Sequence, residues 1–108
     1  MIETVSQEEL CAEIKRRVTA ISPDAEIRLY GSRARGDARP DSDWDLLILT
    51  GNSLSEDDLE EIQSELYELE LDTGEVLVPI FHPHSIWNSP LYQAMPFHQS
   101  VTREGVVL

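Results

Sequence analysis

The chain has 108 residues, enough for one compact domain and too few for a second. Its apolar share of 41% and charged share of 27% are those of an ordinary globular domain with a small core. The 21 acidic residues outnumber the 8 basic ones, and the resulting formal charge of −13 repels polyphosphate backbones, which argues against direct binding of nucleic acid.

The first residues, MIETVSQEEL, lack the basic start and apolar stretch of a signal peptide. No apolar run approaches the roughly 20 residues that cross a bilayer, so a cytoplasmic protein with no membrane association is expected. Ser6 followed by Glu9 forms a capping box, and Leu10, Ile14, Val18 and Ile21 recur at helical spacing, which predicts a helix over residues 7–20. Cys11, the one cysteine, excludes an internal disulfide and a cysteine-based zinc site, and reads as a small buried hydrophobe on that helix. Pro23 ends the helix by disfavouring helical geometry at the residue before it. Glu26–Tyr30 alternates, with Ile27 and Leu29 on one face, and reads as a strand that stops at Gly31-Ser32.

Residues 33–42 are polar and read as a loop or a short irregular helix; Arg33, Arg35 and Arg39 gather there in an otherwise acidic chain. A second strand is expected over Asp43–Leu49, with Trp44, Leu46 and Ile48 on one face and Asp43, Asp45, Leu47 and Leu49 on the other. Apolar residues on both faces make this strand central, covered on each side. Leu54-Ser55 with Asp58 and Leu59 matches a capped helix start, and Leu59, Ile62, Leu66 and Leu69 continue as a stripe that Gly74 closes. Glu75–Phe81 reads as a third strand, at an edge or bulged because Pro79 cannot donate to a ladder. His82–Pro90 reads as a loop; Pro96–Glu104 is expected as a last short helix, stopped by Gly105, with Val106-Val107-Leu108 as a tail. This order predicts an α/β (α+β) domain over residues 1–108, a small mixed β-sheet with helices packed against it.

The informative stretch is YGSRARGDARPDSDWDLLI, residues 30–48. Gly31 lets the chain turn sharply and brings backbone close to a phosphate. A helix starting at Ser32 would aim its free N–H groups at that phosphate, and the Ser32 hydroxyl adds one donor. Two carboxylates at i and i+2 of a strand, Asp43 and Asp45, point the same way about 6.5 Å apart. That suits Mg²⁺, which takes one or two carboxylates together with substrate phosphates; two such ions would clamp an in-line displacement. His82 and His84, loop histidines without a third nearby ligand, read as structural rather than as a metal pair. Trp87, Tyr92, Met95 and Phe97 read as core under a long loop, with an apolar partner surface as the alternative.

Gly31-Ser32, ten residues, then Asp43-x-Asp45 resembles the nucleotidyltransferase motif of the DNA polymerase β superfamily, and the wording GSRARG…SDWDLLI is similar to the minimal nucleotidyltransferases (MNT) that pair with HEPN-domain proteins. The resemblance implies a polymerase β-like nucleotidyltransferase fold, with Gly31 and Ser32 holding ATP or another nucleoside triphosphate. It assigns Asp43 and Asp45 as catalytic metal ligands for Mg²⁺, with two ions possible. Arg33 or Arg35 would meet the outgoing pyrophosphate. The expected reaction moves a nucleoside monophosphate, AMP in the first instance, onto a hydroxyl of a HEPN-type protein partner. The alternative is an antitoxin-type binding module that neutralises a HEPN-family ribonuclease by contact.

One feature departs from the family's pattern. Catalytic members add a third carboxylate from the next strand, and ungapped matching puts Val78 there. Glu75 has the opposite strand parity and Asp72 lies earlier, at the helix end. Four outcomes follow from this: slow transfer, a base borrowed from the partner, Glu75 recruited through an irregular strand, or nucleotide binding alone.

Overall fold

The computed structural model describes residues 6–108, so the first five residues of the expected 1–108 domain lie outside the described residues. Helix α1 (Gln7–Ile21) starts on the predicted capping box: Ser6 Oγ accepts from the Glu9 N–H at 3.1 Å and the Glu9 carboxylate accepts from the Ser6 N–H. Strand β1 (Glu26–Tyr30) follows, then a single helical turn, α2 (Ser32–Arg35), and strand β2 (Trp44–Thr50). Helix α3 (Glu56–Thr73) is capped by Ser55, whose Oγ accepts from the Asp58 N–H at 3.0 Å, and the acidic first turn of Glu56, Asp57 and Asp58 favours the positive end of the helix dipole. Strand β3 (Leu77–Pro83), two short helical turns α4 (His84–Trp87) and α5 (Pro90–Gln93), helix α6 (Pro96–Glu104) and strand β4 (Val106–Val107) complete the described chain.

The four strands form one mixed sheet in the order β3-β2-β1-β4. Strands β1 and β2 are antiparallel, as are β1 and β4, whereas β2 and β3 run parallel with α3 as the crossover. The central placement of β2 follows from its apolar residues on both faces. Trp44, Leu46 and Ile48 join Ile27, Leu29 and Leu77 against Leu10, Ile14 and Val18 of α1 and Ile62, Leu66 and Leu69 of α3. Leu47 and Leu49 point the other way, to Trp87 and Val101 under the C-terminal helices.

As expected for a strand holding Pro79, β3 lies at the sheet edge. Trp44 donates to Val76 O, so alternate residues Leu77, Pro79, Phe81 and Pro83 turn their backbone groups outward. Glu70 takes the Leu77 N–H at 2.9 Å and the prolines have none to offer, which blunts this edge against a further strand.

Three expectations need correction. The third strand begins at Leu77 rather than Glu75, because its ladder partner β2 begins at Trp44, which pairs with Leu77. The expected loop at residues 82–90 holds the end of β3 and the two turns α4 and the start of α5. The tail is a strand: Val106 and Val107 pair with Leu29 and Arg28, and Leu108 N–H donates to Ile27 O. Gly105 makes that return possible by contact, since a Cβ there would run into the Val101 carbonyl.

Candidate functional site

Antiparallel pairing sets Tyr30, the last residue of β1, opposite Asp45 near the start of β2. The connection between them, residues 31–43, therefore leaves and re-enters the sheet at one end, and brings Gly31-Ser32 beside the two aspartates. Gly31 has φ 74° and ψ −157°, a conformation natural only to glycine. It also lacks room for a side chain, because a Cβ would collide with the Asp45 carboxylate. Two independent constraints thus select glycine at this position.

Behind Gly31 the chain makes the α2 turn: Ala34 and Arg35 donate to Gly31 O, and Gly36 donates to Ser32 O at 3.0 Å. The first N–H groups of the turn, on Ser32 and Arg33, have no acceptor within it. Asp43 is exposed, while Asp45 is half-buried between Tyr30 and Val78, its register partners on either side. Burial raises the Asp45 pKa above the ordinary carboxylate value, the nearby Asp43 raises it further, and Arg35 opposes both. Tyr30 is likewise pushed up, first by burial and then by Asp45. The pair therefore concentrates negative charge that no cation among the described residues fully offsets.

Arg35 lies on the outer side of this face, in loose ion pairs with Asp37 at 3.3 Å and Glu104 at 3.4 Å. Arg33, expected beside it at the phosphates, is engaged elsewhere. Its guanidinium donates to Ser42 O at 2.8 Å and Pro40 O at 3.3 Å, stacks 4.4 Å above the Trp44 ring, and faces Glu75 at 3.7 Å. Glu75 in turn accepts from the Trp44 indole N–H at 3.0 Å. Trp44 belongs to the opposite face of β2 from Asp45, so Glu75 lies on the far side of the sheet from the carboxylate pair. In this arrangement Glu75 is brought to Trp44 and Arg33 rather than to Asp45.

Val78 is the residue directly beside Asp45, as ungapped matching expects. Val76 and Val78 remain 49% and 37% exposed, an apolar strip where a third ligand would stand. Among the described residues, no group of three or more His, Cys, Asp or Glu side chains could hold a metal ion. The histidines behave as structural: His82 stacks on Trp87, and His84 Nε2 lies 3.0 Å from Asp24 O. Trp87 is buried and the partly buried Tyr92 packs against its cluster, but Met95 and Phe97 are exposed, so the expected core does not extend to them. Cys11 is half-buried against the α1 core, and burial raises its thiol pKa.

Sequence reasoning missed the Arg33–Trp44–Glu75 network. Its signal was available: a buried tryptophan needs an acceptor for its indole N–H, and the parity that turns Glu75 away from Asp45 turns it towards Trp44.

A family model described as a nucleotidyltransferase domain matches residues 11–102. No curated protein matches the chain. Among solved structures, the fold is similar to a chain of a crystal structure of a toxin-antitoxin with AMP-PNP, at a TM-score of 0.57 and 19% identity over 94% of this chain and 72% of that one. No helix among the described residues is long and apolar enough to cross a membrane.

Proposed function

The chain belongs to the nucleotidyltransferase domain family, and from that premise we propose that it binds a nucleoside triphosphate with Mg²⁺ and transfers the nucleoside monophosphate to a hydroxyl on a protein partner. The observation that carries this reading is the closure of Gly31 on Asp45, which joins a turn with free N–H groups to a carboxylate pair. ATP is the first substrate to test, and the 108 residues act as one cytoplasmic nucleotidyltransferase domain.

The donor set fits magnesium. Asp43 and Asp45 offer hard oxygen ligands on adjacent alternate positions, and the raised Asp45 pKa marks a site that a cation would relieve. Magnesium bound there supplies charge neutralisation for the attacking and leaving oxygens. The chain's own groups do the rest. The Ser32 and Arg33 N–H groups and the Ser32 hydroxyl hold the triphosphate, and Gly31 allows the backbone to come close. Arg35, on the exposed side, is the guanidinium that meets the departing pyrophosphate. The acceptor oxygen bonds to the α-phosphorus as the bond to the β-phosphate bridge breaks; pyrophosphate leaves and the acceptor proton passes to solvent. Such chemistry rests on positioning and charge compensation, which a small scaffold can supply.

A second reading is favoured by Val78, an apolar residue where a base would help activate the acceptor. Under it, the domain is an antitoxin-type module that binds nucleotide weakly or not at all and neutralises a HEPN-family ribonuclease by contact. The solved toxin-antitoxin with AMP-PNP suits either version.

Calorimetry of ATP binding, with and without Mg²⁺, on the wild type and Asp43→Ala tests the choice. The enzyme reading expects magnesium-dependent binding that the substitution abolishes. A folded wild type that binds no nucleotide would sink it and leave the contact module standing.

A further inference from the structure

The segment carrying Asp43 has few ties to the rest of the fold. Within it, Arg39 N–H donates to Ser42 Oγ at 2.8 Å and Ser42 N–H returns to Arg39 O at 3.0 Å, which closes the loop on itself without fixing its place. Asp37 at the start of the loop is tied back to Ser32 and Arg35; at residues 40–42 the tie is Arg33. Its side chain, only 12% exposed, leaves the α2 turn, crosses the Trp44 ring and grips Pro40 O and Ser42 O, the latter one residue before Asp43. Glu75 completes the clamp by facing both the guanidinium and the Trp44 indole from just before β3. Three segments meet there: the turn beside Gly31-Ser32, the loop before Asp43, and the entry to β3.

We propose that Arg33 is a positioning residue, whose guanidinium holds Asp43 in register with Asp45 through the Pro40–Ser42 backbone rather than touching phosphate. This rests on the nucleotidyltransferase reading above, and deepens it by assigning the two neighbouring arginines different tasks. The chemistry demands arginine: a planar guanidinium can stack on an indole and donate in its plane to two carbonyls and a carboxylate at once. A lysine keeps the charge but loses both the plane and the fork.

The full chain is titrated with Mg²⁺ at fixed AMP-PNP, and with AMP-PNP in the absence of Mg²⁺, for the wild type, Arg33→Lys and Glu75→Gln. Amide hydrogen exchange is measured on the same three proteins without ligand. Positioning expects both variants to need about tenfold to a hundredfold more Mg²⁺, as is usual when an outer partner of a metal ligand is lost. Magnesium-free nucleotide affinity should be unchanged, and faster exchange should be confined to residues 40–45. Direct phosphate binding by Arg33 expects the reverse: Glu75→Gln would free the guanidinium and tighten magnesium-free binding, and that result overturns the proposal. Unchanged exchange over residues 40–45 in both variants also overturns it, while leaving the nucleotidyltransferase reading intact. A wild type that binds no AMP-PNP overturns that reading, and the metal-positioning role with it. Glu75→Gln keeps the cation and the stack, so the test stands even where Arg33→Lys compromises folding.

Discussion

Trp44 and Asp45 are neighbours in the chain and meet opposite fates. The Trp44 face of the sheet is closed by α1 and α3 around a continuous apolar core, in which Ile14, Leu46, Ile48, Ile62 and Leu69 have no exposed surface. The Asp45 face has a smaller core, Leu47, Leu49, Trp87 and Val101, confined to one end. At its other end lie Asp45 with its raised pKa, the half-exposed valines and the Gly31 turn. Strand alternation lets one segment supply both, so a single strand can anchor the fold with one set of side chains and present charge with the next. The lesson is a separation of roles: stability comes chiefly from the α1/α3 face, and the proposed chemistry is assigned to the face that gives up packing.

Substitutions on the two faces should therefore part company. The largest effect on stability is expected from Leu46→Ala, which leaves a cavity in the closed face and should cost about 3 kcal/mol in denaturant unfolding. Its magnesium-dependent nucleotide affinity, measured below the unfolding transition, should stay near wild type. Loss of both together would break the separation. Asp45→Asn should do the opposite, removing magnesium-dependent binding while leaving thermal stability at neutral pH equal or slightly higher, since one of two like charges is gone. A clear destabilisation by Asp45→Asn would show that the carboxylate is structural.

Val78→Asp sharpens the comparison by adding charge to the working face. With a carboxylate beside Asp45, transfer from ATP should rise by about a hundredfold, the low end of what a positioned base contributes, at a modest loss of stability. A single-turnover assay with the protein partner reads the gain; no gain, with binding retained, would favour the contact module.

The smallest effect is expected on the scaffold's outer surface. Arg16 and Arg17 bond the Glu13 carboxylate and hold its pKa down to about 2. A depressed folded pKa stabilises the fold above the unfolded value of 4.5, and that contribution fades as pH falls through about 2. Glu13→Gln should thus cost about 0.5 kcal/mol near neutral pH, typical of helix-surface pairs, and converge with the wild type near pH 2. A gap that persists in acid would mean the loss comes from packing.

Much of this architecture was legible in order of chain. Local patterns reveal themselves through nearest neighbours: the Ser6 capping box, the stripe of α3, and the alternation of β2 that set Trp44 and Asp45 on opposite faces. The Gly31-Ser32 and Asp43-x-Asp45 spacing was readable for the same reason, because antiparallel strands joined by a short connection must meet at one end. Their roles in binding await the measurements above. What escaped the sequence depends on contacts between distant positions. Val106-Val107 carries no periodicity of its own, and becomes a strand only because the free edge of β1 offers it partners. Arg33 and Arg35 look alike two residues apart, but α2 turns one over Trp44 and the other out towards Glu104. Residue type and spacing determined the elements and the candidate site; tertiary packing decided which edge was paired, which carboxylate was turned away and which arginine stayed exposed, since those choices rest on side chains that meet only after the sheet has formed.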